Sequence, residues 1–292
     1  MIFLDPKNDY IFKKIFGQHP DILKSFLNSM LPLPDGRQIV DLEYLSPEMI
    51  PETFLEKFSA VDVRCKDQYG RQFLVEMQMN WTTAFKQRVL FNASKAFVTQ
   101  SGKGSEYQQL QPVYALNLIN QNFLPQTEAH YHHYAVVHLK NTDERLEGLE
   151  FVFIELEKFR AQNIRDKKLQ VLWLRFLTEI NESTTNIDEE LLKQKEIKQA
   201  IEYVYEASLS KEEKALYDKN WDRISSEKTI LHQTHEKGRA EGRAEGRAEG
   251  ELDKAMAIAT KLLSNGMNVN EISEITGLSI FEIEQIKKGS VD

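Results

Sequence analysis

Apolar and polar positions along this chain switch between a helical period and strict alternation, and the switches mark the elements. From Asp5 to Leu31, the residues Phe12, Ile15, Phe16, Ile22, Leu23, Phe26 and Leu27 fall at helical spacing, so the chain opens helix-rich. LPLPDGR, Leu31 to Arg37, breaks it with two prolines and Asp-Gly. IVDLEYLSPEMIP mostly alternates and predicts a short strand, ended by Pro47 and Pro51. In FSAVDVRCKDQYGRQFLVEMQ two alternating runs flank Asp67-Gln68-Tyr69-Gly70, which predicts a hairpin. A helix over Thr83 to Gln100 carries Phe85, Val89, Ala93 and Phe97 on one stripe. Pro112 to Leu124 is apolar enough for a buried strand, and His130 to Lys140 and Leu149 to Phe159 alternate as further strands. Asp166 to Trp221 is helical, with Leu169, Leu172, Trp173, Phe176 and Leu177 as its packing stripe. Helix, strands, helix, strands, helices is the order of an α/β or α+β sandwich around a mixed sheet.

After about Lys228 the composition changes. GRAEGRAEGRAEG repeats every four residues, stacking Arg239, Arg243 and Arg247, and likewise Glu241, Glu245 and Glu249, as like charges at i+4. Its glycines each cost a helix about 1 kcal/mol relative to alanine. Alone, the segment is expected to be a poor helix or a flexible linker, whereas a second copy would let one Arg stripe face another's Glu stripe. The remainder reads as short helices, with Gly266 and Gly277 as stops, a capping box in Ser279 and Glu282, and an approximate one in Asn268 and Glu271. This divides the chain into residues 1–227, a linker or helix over 228–252, and a helix-turn-helix-like module over 253–292. The last helix begins IFEIEQ, acidic where a base-reading helix needs Arg, Asn or Gln, so the module is expected to serve packing or homo-oligomerisation.

Charge and cysteine content narrow the function. A net charge of −8 excludes a protein that coats nucleic acid with general positive charge, and leaves room for a local basic cleft. The single cysteine, Cys65, excludes an internal disulfide framework. No apolar run reaches the roughly 18 residues of a membrane span, and the N-terminus lacks a signal-peptide pattern, so a cytoplasmic protein is expected. His130, His132, His133 and His138 lack a cysteine or acid at zinc-like spacing and are expected to be solvent-facing strand residues.

The hairpin carries the chemistry. With Lys66 opposite Gln72, Asp62 falls opposite Glu76, and cross-strand Cβ atoms lie about 4.5–5.5 Å apart. Two carboxylates at that spacing repel unless one is protonated, both are wet, or a cation bridges them. Mg²⁺ binds through one or two carboxylates and keeps several waters. Arg64 and Lys66 share that face, while Val61, Val63, Cys65, Phe73, Val75 and Met77 take the other. A half-exposed hairpin with a wet polar face accounts for the same pattern. The hairpin alone does not decide between them.

Asp62, followed fourteen residues on by Glu76-Met77-Gln78, resembles the PD-(D/E)XK nuclease core with Glu-x-Gln in place of Glu-x-Lys. DYIFKKIFG, VDVRCKDQYGRQFLVEMQ, the helix with Arg88 and Lys95, GSEYQQLQPVYALNL and the Ala-Glu-Gly-Arg tail together resemble the recombination-promoting, transposase-like nuclease family of that superfamily. The resemblance implies an α/β fold with a restriction-endonuclease-like core, a mixed sheet flanked by helices, and a helical C-terminal appendage. It implies a Mg²⁺-dependent DNA endonuclease, with Mn²⁺ or Ca²⁺ as substitutes, linked to recombination, mobile elements or phage defence. Asp62 and Glu76 would be the metal ligands and Gln78 would stand where the superfamily has lysine. A neutral amide can orient groups but supplies no charge. Lys95, Arg88 and Lys13 are candidates for that charge, Lys95 the favoured one, and Lys13, Arg64, Lys66 and Arg88 are candidates for holding DNA. A non-catalytic DNA-binding or assembly protein on the same fold is the competing expectation.

Overall fold

The computed structural model describes residues 2–49, 59–101, 106–161 and 168–289. Pro51, Phe58, Gly104, Ser105 and Asp166, which the sequence reading used, lie outside the described residues. Contacts divide the chain into two compact units, Met1–Ser226 and Glu227–Asp292.

The first unit opens with α1 (Asp9–Phe16) and α2 (Pro20–Met30), followed by the short strands β1 (Leu42–Tyr44), β2 (Glu48–Met49) and β3 (Ser59–Ala60). The hairpin is β4 (Val63–Asp67) and β5 (Gln72–Gln78), and α3 (Phe85–Val98) leads to β6 (Val113–Ile119), β7 (Tyr131–His138) and β8 (Asn141–Glu155). Then come α4 (Leu169–Glu179), α5 (Glu189–Lys193), α6 (Lys195–Tyr203) and α7 (Lys211–Ser264). Among the described residues the main sheet has six strands in the order β1-β4-β5-β6-β8-β7. The β5–β6 and β6–β8 pairs are parallel and the others antiparallel, so the sheet is mixed as expected.

Helices cover both faces of this sheet. One core joins Phe12, Phe16, Phe26 and Trp173 to Cys65, Phe73, Val75 and Met77, and the other joins Phe85, Val89, Ala93 and Ala96 to Leu74, Ala115 and Phe153. The β5 strand is therefore buried on both sides, as parallel strands with covered faces are. Its polar face is not wet: Gln72 is 8% exposed, Leu74 2% and Glu76 7%.

Two expectations need correction. Val61 packs with Met49 and Leu74 rather than with Val63, because residues 61 and 62 precede the β4 ladder at a bend and the strand alternation does not reach them. His132 is not solvent-facing: its Nε2 lies 2.8 Å from Glu155 Oε1, and Glu155 is fully buried. His133 likewise contacts Glu150, since β7 pairs along β8 and brings both acids alongside. Of the two alternatives for the Ala-Glu-Gly-Arg repeat, linker or helix, the structure has the helix, within α7. Alanine, glutamate and arginine are strong helix formers, and a helix begun at Lys211 spares the repeat the cost of nucleation.

In the second unit, Ala259, Ile272, Leu278 and Ile283 form a small core under α8 (Val269–Thr276) and α9 (Ile280–Gly289). Gly277 at φ 73° ends α8, and Ser279 Oγ accepts the Glu282 amide while Glu282 accepts the Ser279 amide, the expected capping box. No helix among the described residues is long and apolar enough to cross a membrane.

Candidate active site

The β4–β5 ladder pairs Lys66 with Gln72 and Val63 with Val75. Asp62 therefore arrives beside the C-terminal end of β5. Its Oδ2 accepts the Met77 amide at 2.7 Å, a charge-assisted bond that fixes the carboxylate next to Glu76. Its Oδ1 lies 3.2 Å from Lys13 Nζ.

Lys13 comes from α1, which starts where Asn8 caps it by accepting the Tyr10 amide at 3.1 Å. One turn before Lys13 on the same helix, Asp9 meets its ammonium at 2.8 Å. The helix is held down by Ile11, Phe12, Ile15 and Phe16, all buried, so its polar face is turned onto the sheet end.

Glu76 is covered by α3. Asn92 Nδ2 donates to its Oε1 at 2.9 Å and Arg88 Nη2 to its Oε2 at 3.2 Å. The same Arg88 nitrogen donates to Gln78 Oε1 at 2.6 Å, and Gln78 Nε2 donates to the Asn80 carbonyl at 2.5 Å. Arg88, Asn92 and Lys95 stand at i, i+4 and i+7, one helical face beside the apolar stripe. Lys95 Nζ donates to the Met49 carbonyl at 2.9 Å. Arg64 binds Gln72 Oε1 through its Nη2 at 2.9 Å, and Lys66 pairs with Glu43 at 3.0 Å, so both are engaged further along the hairpin.

Burial pushes the Asp62 carboxyl up to about 7, with the charges of Asp9 and Glu76 adding to the rise and Lys13 and the Met77 amide opposing it. Burial also works against the Asp9 carboxylate, yet its bond and charge contact with Lys13 outweigh this and hold its pKa below the ordinary value. The Lys13 ammonium loses solvation, but the attraction of Asp62 and Asp9 holds its pKa above the ordinary lysine value.

Residues 6–234 match the family described as PD-(D/E)XK nuclease family transposase. The chain belongs to this family. No curated protein and no solved structure matches it. The family lies in a nuclease superfamily, whose members generally use divalent metals.

The donor set here fits such an ion. Asp62 and Glu76 are hard-oxygen carboxylates at the same end of β5, near enough for the Glu76 charge to act on Asp62, and each is met by a cation, Lys13 on Asp62 and Arg88 on Glu76. Among the described residues no three His, Cys, Asp or Glu side chains form a ready metal cage. Mg²⁺ does not require one, since it is bound through one or two carboxylates and waters.

Asn92, which the sequence did not single out, bonds Glu76, and Asp9, the i, i+4 partner of Lys13, joins the site through that lysine. Asn92 had a usable signal: it sits between Val89 and Ala93 on α3 and is 2% exposed. An amide at a core position needs a partner, and its partner is Glu76.

Proposed function

We propose that this chain is a Mg²⁺-dependent DNA endonuclease whose metal is held by Asp62 and Glu76. The observation that carries the reading is the pair itself, two carboxylates at one sheet end with Lys13 and Arg88 as their counter-charges. A bound Mg²⁺ would supply Lewis-acid polarisation of a phosphoryl oxygen and a water of lowered pKa.

The chain's own groups do the rest. The Met77 amide fixes one oxygen of Asp62 and Asn92 fixes one oxygen of Glu76, so both carboxylates are pre-oriented. Gln78 orients groups through its amide, itself locked between Arg88 and Asn80. The positive charge that Gln78 lacks comes from Lys13 and Arg88, which already face the carboxylates. Lys95 serves as a more distant DNA contact, with Arg64 and Lys66 along the hairpin. Mn²⁺ would substitute for Mg²⁺, and Ca²⁺ would bind. Recombination, mobile elements or phage defence are the settings that accompany this reading. Self-association through the Ala-Glu-Gly-Arg helix and the terminal module belongs to the same proposal.

A second reading, a DNA-binding or assembly protein without activity, draws on one specific observation: each carboxylate oxygen of the pair already has a protein partner or counter-charge. Plasmid nicking separates the two. The full chain should nick supercoiled plasmid with Mg²⁺ or Mn²⁺, and Asp62→Ala and Glu76→Ala should abolish it. Equal nicking by all three proteins removes the site. An inert parent protein with either metal favours the second reading.

A further inference from the structure

The molecule holds a groove that the carboxylate pair does not explain. Its walls are α1 and the first part of α7, with Asp9, Tyr10 and Lys13 on one side and Leu216, Lys219, Asn220 and Arg223 on the other. The α7 residues stand at i, i+3, i+4 and i+7, so one helical face is aimed at α1. The cavity is about 440 Å³, within the range of ligand sites.

Charge is concentrated there against the trend of the chain. The net charge is −8, yet the groove is lined by three cations, Lys13, Lys219 and Arg223, and one carboxylate, Asp9. That carboxylate is already met by Lys13 at 2.8 Å and by Asn220 Nδ2 at 3.3 Å. The nearby Glu213 is engaged by Lys14 at 2.7 Å and by the Tyr10 hydroxyl at 2.9 Å. Lys219 and Arg223 are both exposed, and the Arg223 charge also acts on Asp9 across the groove.

Two further features make it a built site. The groove is rigidly tied to the active-site end of the sheet: Asn80, which follows β5, donates to the Ile224 carbonyl at 3.1 Å, and Asn8 donates to the Tyr217 carbonyl at 3.3 Å. Lys13 belongs to both places, lining the groove while reaching Asp62.

We propose that this groove carries the backbone of a nucleic-acid strand away from the cleavage point, with Lys219 and Arg223 binding the phosphate next to the one held at Asp62 and Glu76. It rests on the nuclease reading for which phosphate is cut, but binding does not depend on cutting. Phosphates are the sequence-independent handle of a strand, and each lysine or arginine contact contributes to the salt dependence of affinity.

The test measures binding by fluorescence anisotropy of a labelled 20-nucleotide single strand and the matching duplex, in EDTA and again with Ca²⁺. It compares the full-length parent, Lys219→Glu/Arg223→Glu, and the control Lys211→Glu/Lys228→Glu, whose residues lie outside the groove lining. The groove variant should bind at least tenfold more weakly, with the slope of log affinity against log salt reduced by about 1–2. The control should stay within threefold of the parent. Equal affinity and slope in parent and groove variant overturn the proposal, as does equal loss in the control, or no binding by the parent in either buffer. A parent that binds through the groove yet never nicks plasmid leaves this inference standing and removes the nuclease reading. A parent that nicks plasmid while the groove variant binds normally does the reverse.

Discussion

Lys13 Nζ stands 3.2 Å from Asp62 Oδ1, although the two residues are 49 positions apart and on different layers of the fold. The superfamily's usual lysine follows the glutamate on the same strand, where this chain has Gln78. An ammonium delivered from α1 meets the carboxylate pair from the other side, and it can stabilise a developing phosphorane charge as well as balance Asp62. Lys13→Met is therefore expected to lower kcat for plasmid nicking by about 10²-fold, the usual cost of one electrostatic donor. KM should change less. A kcat within threefold of the parent would place the charge elsewhere.

Asp62 also leaves a mark on stability. Its folded carboxyl titrates near 7 against an ordinary 3.8, so between these values the folded chain holds a proton that the unfolded chain has lost. Stability contributed by protonated Asp62 is present at low pH and is lost as pH rises through about 7. Asp62→Asn keeps an acceptor for the Met77 amide and does not titrate. In EDTA it should match the parent near pH 4 and exceed it by roughly 1–3 kcal/mol at pH 8, on a scale of about 1.4 kcal/mol per pKa unit. Urea unfolding at the two pH values checks this. A variant less stable than its parent at pH 8 would contradict the burial cost assigned to Asp62.

Putting the superfamily lysine at position 78 is not expected to raise activity. Gln78 accepts from Arg88 at 2.6 Å and donates to the Asn80 carbonyl. A lysine at this place loses the acceptor and sets an ammonium beside a guanidinium. Gln78→Lys should reduce nicking by about tenfold, and Gln78→Lys/Arg88→Ala should recover part of it, a coupling that a double-mutant cycle measures directly. Additive losses would show that Arg88 and Gln78 act independently.

How far the site could be read from the chain follows from contact range. The hairpin register was legible because the turn and the alternation are local, and they set Lys66 opposite Gln72 as expected. Asp62 stands just before the ladder, and its seat beside β5 comes from the Met77 amide, which no alternation announces. The stripe on α3 was legible because it too is local. The burial of Glu76 was not, since it depends on Arg88 and Asn92 crossing over from a later helix. Lys95 was the favoured source of charge, yet its ammonium donates to the Met49 carbonyl. His132 read as a wet strand residue because its partner, Glu155, lies 23 positions on and is brought in by the β7–β8 pairing. The α7 helix passes through glycines that local propensity counts against, because a helix that starts upstream needs only to propagate.

The hairpin turn itself makes the last prediction. Asp67 and Arg71 are 6% and 3% exposed and close the turn that sets the β4–β5 register. Asp67 Oδ1 accepts the Tyr69 and Arg71 amides at 3.0 and 2.9 Å, and its Oδ2 accepts Arg71 Nε at 2.7 Å. Arg71 Nη2 continues to the Arg37 carbonyl at 2.5 Å, and Gly70 supplies a left-handed φ of 81° that lets the chain reverse. Removing one partner leaves a buried charge uncompensated, which typically costs about 3–5 kcal/mol, whereas replacing both by apolar groups can be close to neutral. Asp67→Leu alone should therefore destabilise the chain by about that amount in urea, and Asp67→Leu/Arg71→Met should recover at least half of it. The two variants also separate stability from register. Because Asp67 additionally holds two turn amides, the double variant should remain folded yet let the hairpin slip, and its nicking activity should fall below that of the parent. A double variant with recovered stability and full activity would show that the alternation of β5, not the turn, is what holds Asp62 beside Glu76.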